Sequence, residues 1–113
     1  MRYVLMLCSD ASVPPERFDE GIVAGCGGWT EEMERRGILR LAAGLQPPAE
    51  ARTVKVRDDD VLLTDGPFAE TKDQIGGLTM IECDTFEEAL ALAARHPWAQ
   101  VGQIEVRAVV GGP

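Results

Sequence analysis

Residues 2–8 are apolar on both faces of any strand they form, because Tyr3, Leu5 and Leu7 alternate with Val4, Met6 and Cys8. The run from Leu78 to Cys83 has the same character. A strand that is greasy on both sides needs cover on both sides. One layer of helices supplies only half of that cover, so these two runs constrain the fold and the assembly more than any other stretch.

The remaining elements follow from periodicity and punctuation. Pro14-Pro15-Glu16 suits a helix start. Phe18, Ile22, Cys26, Trp29 and Met33 then recur at three- and four-residue spacings, which predicts helical structure over most of 15–36. Gly21, Gly25, Gly27 and Gly28 make that helix intrinsically poor, at about 1 kcal/mol each relative to alanine. Either the glycines break it or a neighbouring surface approaches too closely for side chains. Gly37 suits a helix C-terminus, and residues 38–45 read as a strand ended by Gln46-Pro47-Pro48. Residues 53–57 and 61–64 form a hairpin with an aspartate tip at 58–60, read as a solvated turn and not a cation site. Thr85 and Glu88 match a capping box, opening a helix with Phe86, Ala89, Leu90 and Ala93 as its buried stripe. His96-Pro97 stops it, and residues 101–110 form the last strand with Ile104, Val106, Ala108 and Val110 on one face.

With the hairpin set aside, the order β-α-β-β-α-β is that of the ferredoxin-like split βαβ fold, an α+β class. Residues 1–110 make a single domain and 111–113 a flexible tail. Both helices cover one sheet face, so the other is left apolar and exposed. A homodimer with sheets packed face to face is the economical remedy.

Charge and cysteine usage narrow the function. A net charge of −8 argues against nucleic acid and anionic membrane, which attract basic patches. The N-terminal apolar run is too short for a signal peptide, and none reaches the ~18 residues of a membrane helix. A soluble, cytoplasmic protein is expected. Cys8, Cys26 and Cys83 are odd in number and scattered, so a disulfide framework is not expected. One histidine and dispersed cysteines satisfy no metal pattern, and the glycine pairs lack the strand–glycine–helix setting of a phosphate or dinucleotide loop. No cofactor is expected.

The candidate chemistry gathers at residues 65–77, a polar segment between apolar runs, read as a loop. Asp65, if partly buried, could serve as a general base, or it could cap an Asx turn. Phe68, Glu70, Lys72 and Asp73 are candidate ligand contacts, although Lys72 could equally pair with Glu70 or Asp73 in solvent. His96 could act as acid or base with Asp65 as its carboxylate neighbour, or simply sit at a helix C-terminus facing the macrodipole.

Gly44-Leu45-Gln46-Pro47, Thr53-Val54-Lys55-Val56-Arg57, Thr64-Asp65-Gly66-Pro67-Phe68-Ala69-Glu70-Thr71-Lys72-Asp73, Gly76-Gly77 and Ile104-Glu105-Val106-Arg107 together resemble the YCII-related family, and within it the DGPF-domain branch. The resemblance runs from residue 1 to 110. It implies a ferredoxin-like, dimeric α/β barrel and a functional link to extracytoplasmic-function sigma factors. It also implies a catalytic dyad of a first-helix histidine and an aspartate of an Asp-Pro pair after the second helix. Here the first helix has no histidine, Trp29 lies in that region, and His96-Pro97 stands in place of Asp-Pro. The dyad therefore does not transfer. Two functions remain open: a small-molecule or enzymatic site near Asp65, and a non-enzymatic regulatory module whose loop organises the dimer or docks a partner.

Overall fold

A computed structural model describes residues 1–67 and 73–111. Four antiparallel strands form the main sheet in the order β2-β5-β1-β6, with β1 at Arg2–Cys8, β2 at Leu39–Gly44, β5 at Ile75–Glu82 and β6 at Gln103–Ala108. Helices α1, Glu20–Arg35, and α2, Phe86–Ala94, lie on one face of it. This is the ferredoxin-like α+β arrangement. Strands β3, Arg52–Arg57, and β4, Asp60–Asp65, form a separate two-stranded ribbon.

Register decides which side chains meet. Tyr3 lies opposite Ile81, and Leu5 opposite Thr79 and Val106, so these residues face the helices. With Trp29, Met33, Ala89, Leu92 and Ala93 they make the core. Trp29 ties the two helices together by donating its Nε1–H to the Leu92 carbonyl at 3.0 Å. The alternate residues Val4, Met6, Leu78 and Met80 point to the other face and are half-buried.

The glycine run does not break α1. Helix formation starts at Asp19, whose Oδ1 accepts from the Ile22 N–H at 3.0 Å, after a separate 3-10 turn at Pro15–Arg17. The expected continuous helix from 15 is thus divided there, and Phe18 falls outside it, edge-on to Trp98 at 5.2 Å. At the other end Gly37 adopts φ 73°, and the N–H groups of Gly37 and Ile38 reach back to the carbonyls of Glu34 and Met33. That is a Schellman closure.

Gly76 and Gly77 lie within β5 and not in a loop as expected. A Cβ on Gly77 would sit 3.3 Å from the Ala43 carbonyl oxygen, so the residue is bare where β2 comes close. The Thr85 cap is as read, with Oγ1 accepting from the Glu88 N–H at 3.1 Å and Glu88 accepting from the Asp84 N–H. The buried stripe of α2 is Ala89, Leu92 and Ala93, whereas Phe86 and Leu90 are exposed. Strand β6 is shorter than expected, and Val110 lies beyond it, fully exposed. Asp58 and Asp59 both take positive φ, the two-residue turn that suits a right-twisted ribbon. Among the described residues no helix is long and apolar enough to cross a membrane. Of the tail expected at 111–113, residues 112 and 113 lie outside the described residues.

Candidate functional site

Between α1 and the sheet opens a cleft of about 270 Å³. Its helix wall is Cys26, Gly27 and Thr30, and its sheet wall runs over Ala42–Gly44 and Gly76–Thr79. The space exists because both walls are built of small residues. A Cβ on Gly27 would meet nothing within 4 Å, so that glycine contributes open volume. Gly25, two residues earlier in α1, is bare for the opposite reason: a Cβ there would lie 2.8 Å from Pro97 Cγ. Close contact at Gly25 seats the 3-10 turn Pro97–Gln100 against α1, and that turn presents His96 to the cleft.

His96 is 2% exposed and its ring lies 4.6 Å from that of Trp29. Nδ1 accepts the backbone N–H of Trp98 at 3.1 Å. A nitrogen that accepts carries no proton, so the neutral ring holds its proton on Nε2. Burial pushes the His96 pKa down, which keeps the ring neutral at pH 7. Among the described residues Nε2–H makes no hydrogen bond. The site therefore offers one uncommitted, neutral donor. This is not the charged histidine facing a helix macrodipole that the position alone suggested. It caps the following turn instead.

Two neighbours on α1 extend the polar lining. Burial raises the Cys26 thiol, partly offset by the Trp98 N–H, so Cys26 stays protonated. Thr30 Oγ1 donates to the Cys26 carbonyl at 3.0 Å, leaving its oxygen as an acceptor. The cleft contains no carboxylate, lysine or arginine among its described lining residues. Among the described residues there is also no group of three or more His, Cys, Asp or Glu placed to hold a metal ion.

The residues singled out from sequence are scattered. Asp65 ends β4 in the ribbon, its side chain 91% exposed and 3.7 Å from Arg52 Nε. The burial on which a general-base role was conditional is absent, and the chain does not bring Asp65 against His96. Asp73 is exposed, and its Oδ1 accepts the Ala11 N–H at 3.0 Å. With the Gln74 N–H donating to Ser9 Oγ at 2.9 Å, it fastens the start of β5 to the loop after β1. Asp73 also borders a wider groove of about 780 Å³ with Met6, Cys8, Glu105 and Arg107. Phe68, Glu70 and Lys72 lie outside the described residues. Cys26, Gly27 and Thr30 were missed as site residues. The only signal for them was the cluster of helix glycines, which periodicity alone reads as a defect.

A protein of Rhizobium meliloti described as uncharacterised is 31% identical over 96 residues, covering 82% of this chain and 77% of that protein. A solved structure, the 5-chloro-2-hydroxyhydroquinone dehydrochlorinase of Burkholderia phenoliruptrix in complex with 2,5-dihydroxybenzoquinone, superimposes with a TM-score of 0.59 at 12% identity, covering 99% of this chain and 96% of that one. At that identity the likeness is one of fold. The YCII-related domain matches residues 1–111, and the chain belongs to that family.

Proposed function

We propose that the chain binds a small, uncharged molecule carrying a carbonyl or hydroxyl oxygen in the His96 cleft, and that His96 donates a hydrogen bond which stabilises negative charge developing on that oxygen. The observation that carries this reading is a buried neutral imidazole whose Nδ1 is committed to Trp98 and whose Nε2–H, free of any described partner, borders open volume. A neutral donor of this kind hydrogen-bonds a ligand oxygen and holds it more strongly as negative charge develops on that oxygen, while keeping its own proton. A volume near 270 Å³ lies at the small end of ligand pockets and suits a single ring.

The first compounds to assay are small oxygenated rings, the class to which the dehydrochlorinase's 2,5-dihydroxybenzoquinone belongs. Gly76 and Gly77, at the end of the 65–77 segment, border the cleft. Phe68, Glu70 and Lys72 remain candidate ligand contacts, to be tested by substitution.

A thermal-shift screen of such fragments tests the proposal. A ligand present at a hundredfold over its Kd stabilises the folded chain by about 2.7 kcal/mol. His96→Asn should lose that shift while keeping its secondary structure. An unchanged ligand shift in a folded His96→Asn protein refutes the site.

A further inference from the structure

We infer that Thr79 is the second anchor of the His96 cleft, so that the ligand carries two oxygens, one held by His96 and one by the Thr79 hydroxyl. This rests on the His96 cleft being a ligand site. Thr79 lies in β5, opposite Leu5 of β1 and Ala42 of β2, on the sheet face that meets the helices. Around it on that face stand Leu5, Leu7, Ala42, Gly77 and Ile81, none with a polar side chain. Packing alone asks for an apolar residue here, and valine has the same branched shape.

Thr79 is 5% exposed, and among the described residues its hydroxyl makes no hydrogen bond. Hydroxyls taken this far from water are normally paired, because leaving one unpaired is costly. No fully enclosed side-chain nitrogen or oxygen of the described residues lacks a partner, so the Thr79 oxygen is not fully enclosed. The residue lines the His96 cleft, and that is where the oxygen opens. His96 shows the same pattern: it is 2% exposed, with Nδ1 committed and Nε2–H open to that cleft. Two nearly buried residues thus keep one unpaired polar atom each, and both border one space.

They approach from different elements, Thr79 from the sheet and His96 from the turn after α2. A ligand gripped by both is oriented, where a single hydrogen bond leaves it free to pivot. The Nε2–H is a donor only, and a hydroxyl both donates and accepts. A carbonyl or hydroxyl oxygen therefore suits His96, and a second hydroxyl suits Thr79. The described lining offers no charged partner, so both oxygens are neutral. The substrate class is a small ring bearing two neutral oxygens.

Equilibrium titrations of the full chain by NMR, under argon, with phenol, catechol, resorcinol and hydroquinone test it. At least one of the three diols should bind wild type about tenfold more tightly than phenol, the effect of one added hydrogen bond. Thr79→Val should bring that diol down to phenol's affinity and leave phenol unchanged. It should also melt no lower than wild type, because it removes a hydroxyl with no partner among the described residues. Thr79→Ser keeps the hydroxyl and should keep the preference. The role of Thr79 is overturned by a wild type with no diol preference, or by a preference that survives Thr79→Val. A Thr79→Val protein that melts several degrees low also overturns it, since the hydroxyl would then serve the fold. His96→Asn separates Thr79 from the cleft itself. Diols that bind His96→Asn as well as wild type overturn the cleft and Thr79 together. Diols weakened by His96→Asn but not by Thr79→Val overturn Thr79 alone.

Discussion

Gly25 and Gly28 sit in the same helix, three residues apart, and alanine should have opposite effects at the two. At Gly25 the new Cβ would lie 2.8 Å from Pro97 Cγ and 3.3 Å from Pro97 Cβ. Carbon atoms are most comfortable at about 3.5–4.0 Å. The obstacle is a rigid ring on a 3-10 turn, so relief requires the turn itself to move. Overpacking of this kind costs about 1–3 kcal/mol. Replacing a helical glycine by alanine returns about 1 kcal/mol, so the net change at Gly25 is a loss of about 0–2 kcal/mol. At Gly28 nothing lies within 4 Å of the added methyl, and only the gain of about 1 kcal/mol remains. For a chain of this size 1 kcal/mol corresponds to roughly 3–6 °C in Tm. Calorimetry should show Gly28→Ala melting several degrees above wild type and Gly25→Ala at or below it. Equal increases in the two variants would refute the claim that α1 is bare at Gly25 because Pro97 presses on it.

Other expectations come from the same site. Burial holds the His96 pKa in the folded chain below its unfolded value near 6.5. The unfolded chain therefore binds more protons below about pH 6.5, and stability should decline there by up to ~1.4 kcal/mol per pH unit until the folded pKa is passed. Denaturant melts between pH 7.5 and ~5 should show that slope, and His96→Gln should flatten it; an equal slope in the variant assigns it to other groups. Gly27→Ala should stabilise the chain by about 1 kcal/mol yet weaken ligand binding, because its methyl enters the cleft. A variant that binds fragments as well as wild type places the ligand elsewhere. Trp29→Phe removes the buried bond to Leu92 and part of the wall behind His96, and should cost about 1–3 kcal/mol in urea unfolding; a neutral result would mean that this bond contributes nothing.

Much of the fold was legible because local and global signals agreed. Thr85 and Glu88 capped a helix as read, Gly37 closed α1, and residues 2–8 formed the strand expected of them. The reading failed where a residue's meaning depended on a distant neighbour. Gly76-Gly77 looked like loop punctuation, but both lie inside β5, where the nearby Ala43 carbonyl explains the bareness of Gly77. Of the two readings of the helix glycines, a break or a close neighbouring surface, Gly25 bears out the second by accommodating Pro97, whereas the open cleft at Gly27 was not read at all. His96 was identified as a candidate, but its partner was not Asp65. Its geometry depends on a backbone N–H two residues on and on a tryptophan from another helix, and no spacing rule links Trp29 to His96. Asp65 attracted attention by the company it keeps in sequence, while the ribbon holds it out in solvent beside Arg52.

The chain has a single histidine, so its ring resonances need no assignment against others. Nitrogen-15 spectra of His96 recorded from pH 8 to 5, without and with a fragment that raises the melting temperature, test the central claim directly. The account predicts a neutral ring protonated on Nε2, with Nδ1 unprotonated and accepting, persisting below pH 6.5, and a shift of the Nε2–H signal when the fragment binds. A ring that titrates freely near pH 6.5, carries its proton on Nδ1, or ignores a bound fragment would contradict it.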